Sequence, residues 1–342
     1  MTHLTRPETV HACLIVNPFA RNGHRLADLE QAENILREHG WTLHRVHTER
    51  PDEVRAKAQA AVEAGYNLVI VAGGDGSIGQ AADVLAGTQV ALGIIPAGTG
   101  NILARDLGLP IPAPWYPHAF VEAARLLLTA TWWRVDVGHA RGQGQQRRFL
   151  NWCGAGLDAL VTLRVEPHPE EKRRWGVAAY VMPAIQELLH YHPVEWHITV
   201  DGRTFKGVYY LVVTHNSQLY AGIFRLAAHA RMDDGRLDVA MIAAHTPQEL
   251  VSALSRATLW GEPPSEHVHL CQAQQVRVEA DPPQPVHLDG DPLMYTPVDI
   301  HIEPQALTLL VPSGERFPHH LMGDSTPKES TTGVREDAWL PW

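Results

Sequence analysis

Two uninterrupted apolar runs constrain the fold of this chain more than any other feature. Leu68–Ala72 and Leu92–Ile95 have the appearance of strands buried on both faces, and each ends in a glycine-containing loop. Helical patterns over 26–39 and 51–64 flank a further strand pattern at Thr42–His47. Because strands that alternate with helices form parallel sheets, the first third predicts an α/β domain with helices covering the sheet.

The pattern changes after about Trp132, where apolar and polar residues begin to alternate with a period of two. Such alternation occurs at 194–200, 276–278 and 298–302, and it predicts a mostly antiparallel β domain. We place the first domain at 9–131 and the second at 132–305, with a helical insertion at Trp175–Leu189. An apolar closing strand within 306–317 is expected to return to the first domain, and 319–342 reads as a flexible polar tail.

Composition and charge exclude several classes of protein. Apolar residues at 45% and charged residues at 19% indicate a folded globular chain, and a net charge of −10 argues against broad binding of nucleic acid. No apolar run approaches the roughly 18 residues of a transmembrane helix. No signal-peptide pattern is seen, and the three cysteines lack the CxxC spacing of a zinc ribbon. A cytoplasmic location is therefore expected, with the 21 histidines interpreted as ordinary surface or strand residues.

The strongest chemical signal is the segment Gly73-Gly74-Asp75-Gly76-Ser77, which lies between a predicted strand and a predicted helix. Glycines allow a ligand close to backbone N–H groups, and the helix N-terminus adds partial positive charge, so the segment suits phosphate. A carboxylate at Asp75 would repel phosphate unless a cation such as Mg²⁺ lay between them. The alternative is a tight turn in which Asp75 caps the helix.

Two other small-residue loops are expected at the same sheet edge, because loops after parallel strands share that edge. They are Asn17–Gly23 and Pro96–Asn101. Gly74-x-Gly76-x-x-Gly79 also matches the dinucleotide-binding fingerprint, but no acidic residue follows at the required distance. No Walker A, GxSxG or HExxH pattern occurs.

Two acidic turns stand out in the second domain, Asp233-Asp234-Gly235 and Asp289-Gly290-Asp291. Either sequence is typical of a plain hairpin turn. If the glycine segment binds a nucleotide, the enzyme also needs a base for the hydroxyl that is phosphorylated. A carboxylate of one of these turns is then a candidate for that base.

In order along the chain, these motifs resemble the diacylglycerol kinase catalytic-domain family, in particular its soluble prokaryotic lipid kinases. The likeness covers about residues 10–316 and rests on Asn17-Pro18…Gly23, Gly73–Ser77, Gly98-Thr99-Gly100-Asn101, Asn151…Gly154–Asp158, Asn216…Tyr220-Ala221-Gly222, Asp233–Asp238 and Asp289–Asp291. The resemblance implies an α/β domain followed by a β-sandwich, with ATP and lipid meeting between them.

The resemblance also implies roles for individual residues. ATP contacts would come from Asn17, Thr48, Gly73, Gly74, Asp75, Gly76, Ser77, Ile78, Gly79 and Thr99. A structural magnesium ion would be bound by the Asp234 carboxylate with the backbone carbonyls of Arg231 and Arg236. The catalytic turn would be Asp289 and Asp291, with Asp291 in place of the family's usual glutamate base.

We therefore predict a Mg-ATP-dependent kinase that phosphorylates a lipid hydroxyl, with diacylglycerol as the favoured acceptor. Peripheral contact with a membrane is expected, with Lys172-Arg173-Arg174 and the following Trp175 as the candidate segment and a solvated basic turn as the alternative. Whether the protein forms a homodimer stays open. Ceramide, a sphingoid base, monoacylglycerol and undecaprenol also stay open as acceptors. The alternatives are an NAD kinase-like phosphotransferase, which would share the Gly-Gly-Asp-Gly element, and a nucleotide-binding regulator that has lost catalysis.

Overall fold

The computed structural model describes residues 3–20, 22, 26–165, 187–188, 190–222, 224–244, 246–260 and 267–323. The strands are β1 (His3–Leu4), β2 (His11–Val16), β3 (Thr42–His47), β4 (Leu68–Gly73), β5 (Ala91–Pro96), β6 (Thr131–Gly142), β7 (Gln145–Phe149), β8 (Trp152–Gly156), β9 (Val194–Val200), β10 (Arg203–Tyr209), β11 (Leu211–His215), β12 (Leu237–Ile242), β13 (Val268–Ala273), β14 (Gln275–Asp281), β15 (Pro285–Leu288), β16 (Asp291–Tyr295) and β17 (Val298–Val311). The helices are α1 (Leu26–Glu38), α2 (Val54–Glu63), α3 (Asp75–Leu85), α4 (Ile102–Asp106), α5 (Ala119–Thr129), α6 (Leu157–Val165) and α7 (Pro247–Trp260).

The first domain is a parallel sheet in the order β5-β4-β2-β3, with a hydrophobic core on each face. One core includes apolar residues of α2, α3 and α4, and the other includes those of α1 and α5. Strands β4 and β5 are buried along their whole length, as the two apolar runs predicted. The fold class predicted for this part of the chain is confirmed.

The second domain packs two sheets of antiparallel strands against each other. One sheet has the order β13-β12-β11-β8-β15-β16, and the other is the end of the large sheet formed by β10, β9, β14 and β17. Trp196 and Val212, on opposite sheets, share one core with Phe149. Because both sheets present an apolar face to this core, the domain is a β-sandwich.

Strand β17 belongs to both domains. On one side it pairs with β6 along almost its whole length. On the other side its first half pairs with β14, and its Leu309 pairs with Leu92 of β5. The sequence patterns predict two strands here, an alternating one at 298–302 and an apolar closing strand within 306–317. The strand continues through an irregularity between Glu303 and Leu307, where the Gln305 N–H donates to the Asp136 carboxylate at 2.7 Å.

The first residues of the predicted flexible tail pack against the protein, although the tail sequence is polar. Leu321 and Met322 are fully buried in the core beside α3 and β17, so 319–323 pack on the first domain. Residues 324–342 and most of the predicted helical insertion lie outside the described residues, as do Lys172–Trp175 and Gly23. Among the described residues, no helix is long and apolar enough to cross a membrane.

Candidate active site

Three loops meet at the carboxyl edge of the parallel sheet. Gly73–Gly79, which we call the glycine loop, follows β4 and leads into α3, whose N-cap is Gly74. It touches the loop after β5 backbone to backbone, because a Cβ at Gly98 would lie only 2.3 Å from Gly74 Cα. The Ala97 N–H also donates to the Gly73 carbonyl at 2.8 Å. Side chains are therefore excluded where the two loops cross.

The glycine loop presents the first turn of α3, and the first N–H groups of a helix have no acceptor inside it. Gly76 lies in this turn, and among the described residues outside its own helix a Cβ there would have one neighbour within 4.0 Å, an oxygen of Asp291. Open backbone N–H groups at a helix N-terminus form a site for phosphate oxygens.

Asp75 connects the glycine loop to α4. Its Oδ1 accepts the Ile102 N–H at 2.6 Å, and a Cβ at Gly100 would come within 2.8 Å of Oδ2. The carboxylate thus binds the start of α4. Asp75 holds the two loops together, and a metal contact from it would be additional.

The ends of β2 and β3 complete this edge. The Asn17 side-chain amide donates to Ser77 Oγ at 2.8 Å, and both residues are buried. Thr48 is 2% exposed, and its hydroxyl oxygen has no hydrogen-bond partner within the described structure. A buried hydroxyl without a partner is a sign of an absent ligand or water. Thr99 is half-buried in the loop after β5.

The surroundings of two residues assigned to ATP limit how they can contact it. The Ile78 side chain is 1% exposed and packs in the core, so its backbone alone can reach a ligand. A Cβ at Gly79 would lie 3.7 Å from both Arg147 Nη2 and Asp289 Oδ2. The α3 turn therefore faces the acidic turn of the second domain directly.

Asp291 lies opposite the glycine loop at the start of β16. Its Oδ2 accepts from Arg147 Nη2 at 2.7 Å, and its side chain is 37% exposed. Its Oδ1 is the oxygen that lies 4.0 Å from the Cβ position of Gly76. The structure therefore brings the predicted base and the predicted phosphate site together. Sequence reasoning missed Arg147, because nothing in the run Gln145–Phe149 distinguishes it from a surface arginine.

Asp289 has a different environment in the same turn. Its carboxylate accepts the N–H groups of Leu150, Asn151 and Trp152 at 2.8, 2.8 and 3.1 Å. Burial raises the pKa of Asp289, while these three N–H groups oppose the shift. With its oxygens held in this way, Asp289 fixes the turn that carries Asp291.

A second network supports the same turn from behind. The Gly290 N–H donates to His287 Nδ1 at 3.2 Å, so the His287 Nε2–H donates to Asp158 at 3.0 Å. The Tyr220 hydroxyl donates to the same Asp158 oxygen at 3.0 Å. A Cβ at Gly154 would lie 2.1 Å from that oxygen, which explains the glycine. Gly154 and Asp158 of one sequence motif thus lie against each other, and Asp158 contacts Tyr220 of another motif.

The predicted metal ligands lie in the turn before β12, at the junction of the two domains. Asp234 Oδ1 accepts the Arg236 N–H at 3.0 Å, and the Arg231 guanidinium binds Asp233. Burial and the charge of Asp234 raise the pKa of Asp238 to about 7, and one Asp238 oxygen is buried without a hydrogen-bond partner in the described residues. This excess of carboxylate oxygens fits a divalent cation.

Comparisons with known proteins agree with this architecture. The family model of the diacylglycerol kinase catalytic domain matches residues 11–140, and that of the YegS C-terminal NAD kinase beta sandwich-like domain matches 151–311. A protein of Mycobacterium tuberculosis named diacylglycerol kinase is 30% identical over 315 residues, which cover 90% of this chain and 97% of that protein. A Bacillus subtilis diacylglycerol kinase is 27% identical over 242 residues, covering 70% and 76%.

A solved structure shows the same fold. A crystal structure of a diacylglycerol kinase from Bacillus anthracis superposes with a TM-score of 0.68 at 23% identity, covering 90% of this chain and 98% of that one. Both domains are therefore included in the similarity.

Proposed function

This chain belongs to the diacylglycerol kinase catalytic-domain family and is an ATP-dependent lipid kinase, and from that premise we propose that it transfers the γ-phosphoryl group of Mg-ATP to diacylglycerol, giving phosphatidic acid. The observation that supports this reaction best is the position of Asp291, a half-exposed carboxylate facing the glycine loop at Gly76. A proton acceptor that faces a phosphate site is what phosphoryl transfer to a hydroxyl requires.

In this proposal the sheet edge binds the nucleotide. Backbone N–H groups of the glycine loop contact the phosphate oxygens, and Gly76 leaves room for them. The Asn17–Ser77 hydrogen bond positions the loop, while Thr48 and Thr99 offer hydroxyl groups to the nucleotide. Phosphoryl transfer depends mainly on such positioning and on charge stabilisation.

Magnesium has two places in the proposal. The Asp75 carboxylate lies beside the phosphate site, and the 231–236 turn offers the Asp234 carboxylate with the carbonyls of Arg231 and Arg236. When bound at the nucleotide, Mg²⁺ neutralises charge on the phosphate oxygens. The ion in the turn would stabilise the junction of the two domains.

Asp291 takes the proton of the acceptor hydroxyl. Arg147, bound to its other oxygen, orients the carboxylate, and Asp289 holds the turn through the three N–H groups of 150–152. Because the acceptor is a lipid, the cleft has to meet a membrane surface, so we propose peripheral contact. The basic segment Lys172–Trp175, a candidate for that contact, lies outside the described residues.

The test is transfer of label from [γ-³²P]ATP in detergent micelles that contain one candidate acceptor each. Diacylglycerol, monoacylglycerol, ceramide and undecaprenol form the lipid arms, and NAD forms a soluble arm. We expect label in phosphatidic acid, and its loss when EDTA removes Mg²⁺. Label in NADP would support the NAD kinase alternative, label in another lipid would replace the acceptor, and ATP binding without any transfer would indicate a regulator.

A further inference from the structure

Three potential metal ligands come together on the ladder between β6 and β17. His139 of β6 lies directly opposite His301 of β17, and Glu303 follows two residues later on the same face of the strand. One ligand atom from each residue can be chosen so that all three lie within 4.8 Å of one another. The two imidazole rings cross edge to face with their centroids 4.8 Å apart.

The distances between these atoms suit a small ion. His139 Nδ1 lies 3.1 Å from Glu303 Oε1, and His301 Nε2 lies 3.8 Å from the same oxygen. Ligands of tetrahedral zinc, at 2.0–2.1 Å from the ion, are about 3.3 Å apart. The two separations from Glu303 Oε1 lie on either side of this value.

The burial of His139 is a further reason to expect a ligand. The residue is 9% exposed, and its Nδ1 is buried without a properly oriented hydrogen-bond partner in the part of the chain that the structure describes. A buried ring nitrogen that faces a carboxylate and a second imidazole matches a ligand site better than a packing position.

The surroundings orient the carboxylate. Arg148 Nε donates to Glu303 Oε2 at 2.7 Å, so Oε1 is left facing the two histidines. Arg148 is itself held, because its backbone N–H donates to Asp83 at 2.9 Å. Such outer contacts are typical of metal sites, although the positive charges of Arg148 and the nearby Arg141 will weaken the affinity.

We propose that His139, His301 and Glu303 bind one Zn²⁺ ion that joins β6 to β17. Two imidazoles and one carboxylate are the ligand set of a zinc site with an open position. His139 also lines a cleft of about 740 Å³ with Arg147 and Arg148. The ion would stabilise the ladder that links the two domains, and it is separate from the magnesium sites proposed above.

Zinc titration of the full chain, after treatment with a chelator, tests this site. We expect one Zn²⁺ per chain in competition with a chromophoric chelator, and an intense visible spectrum with Co²⁺ that indicates four-coordinate geometry. His139→Ala and Glu303→Gln should each weaken Zn²⁺ at least about 100-fold, because outer-sphere changes alone cost 10–100-fold. Mg²⁺ at millimolar concentration should not compete, since it prefers oxygen ligands.

His197→Ala, an exposed histidine on β9, is the matched control and should bind Zn²⁺ as the wild type does. If His139→Ala fails to fold, His301→Gln replaces it, because that side chain is 42% exposed. Absence of stoichiometric zinc, or equal affinity in Glu303→Gln, His301→Gln and His197→Ala, would overturn the proposal. These readouts do not depend on kinase activity, so they separate this proposal from the proposed function.

Discussion

Asp289 and Asp291 lie two residues apart in one turn, and their surroundings give the two carboxylates different roles. Asp289 is 8% exposed and accepts three backbone N–H groups, whereas the Asp291 side chain is 37% exposed and accepts from Arg147. The sequence predicted both as site residues. An Asp-Gly-Asp triplet does not show which carboxylate oxygens accept hydrogen bonds from the backbone. The donors come from 150–152, more than 130 positions earlier.

Residues distant in sequence account for most of what sequence reasoning missed. Arg147 and Asp291 are 144 positions apart, and nothing local indicates that they pair. In the sequence, histidine pairs such as His267/His269 and His319/His320 have no further ligands at metal-site spacing, and this favours ordinary histidines. The spacing His301-x-Glu303, which puts both side chains on one face of a strand, was the available signal, but its partner His139 is far away.

His215 provides a prediction about pH at this scale. Burial lowers its pKa to about 4, against 6.5 for an exposed histidine, and the ring packs edge to face on Tyr220 with centroids 5.6 Å apart. Because the unfolded chain takes up the proton more readily, the folded state loses stability as pH falls from about 6.5 towards 4. Between pH 7 and pH 5 the loss from this residue is about 2 kcal/mol.

Urea unfolding of the wild type and His215→Phe at pH 7 and pH 5 measures this effect. The variant should lose about 2 kcal/mol less than the wild type between the two pH values, since it has no proton to bind there. His197→Phe, at an exposed position, should keep the wild-type pH dependence. Equal losses in His215→Phe and wild type would show that His215 titrates normally.

At the scale of elements, the site depends on close contact between two loops. Asn101 fixes the loop after β5: its side chain accepts the Gly98 N–H and donates to the Gly98 carbonyl, both at 2.9 Å. This arrangement brings Gly98 against Gly74, where no Cβ can be accommodated. Close contact between the two loops therefore explains Gly74 and Gly98, in addition to the close approach that a phosphate group requires.

Gly98→Ala should weaken ATP binding at least about tenfold, since its Cβ would force the glycine loop away from its position and small displacements in a site are costly. Isothermal titration with a non-hydrolysable ATP analogue measures the change. Gly65→Ala is the control: Gly65 ends α2 with φ of 78°, so alanine there costs about 1 kcal/mol of stability but should leave nucleotide affinity unchanged. Wild-type affinity in Gly98→Ala would contradict this account of the loops.

The sequence predicted elements well where the pattern was local. The two apolar runs and the strand at Thr42–His47 are strands in the structure, and the first helical pattern corresponds to α1. Helix α5 was missed, although Ala119–Thr129 has a buried apolar face, because no loop motif marked it. Strand β17 was divided in two, since its continuity depends on Asp136 binding the irregular segment.

At the scale of the whole molecule, β17 makes the two domains one structural unit. Ile300 lies in the sandwich core, whereas Leu309 lies in the core beneath the parallel sheet. The α/β and β-sandwich classes could be predicted from the change in pattern near Trp132, together with the family resemblance. The sharing of one strand could not, because pairing between β17 and β5 depends on contacts across more than 200 residues.

A shared strand predicts cooperative unfolding of the two domains. Native-state hydrogen exchange should give the same opening free energy, within about 1 kcal/mol, for amides of β4 and β11. These strands lie in different sheets and in different cores, so agreement between them reports the linkage through β17. A sandwich that opens several kcal/mol more easily than the parallel sheet would show that the domains unfold separately.

The central claim is that Asp291 accepts the proton of the lipid hydroxyl while the glycine loop holds ATP. The most direct measurement is kcat for diacylglycerol phosphorylation at saturating Mg-ATP and lipid, in the wild type and Asp291→Asn. We predict a fall of about 10²–10⁴-fold with ATP affinity unchanged, and substantial activity in Asp291→Glu, which restores the usual base. Asp299→Asn, an exposed carboxylate on β17, serves as the control. A kcat in Asp291→Asn close to that of the wild type would contradict the mechanism.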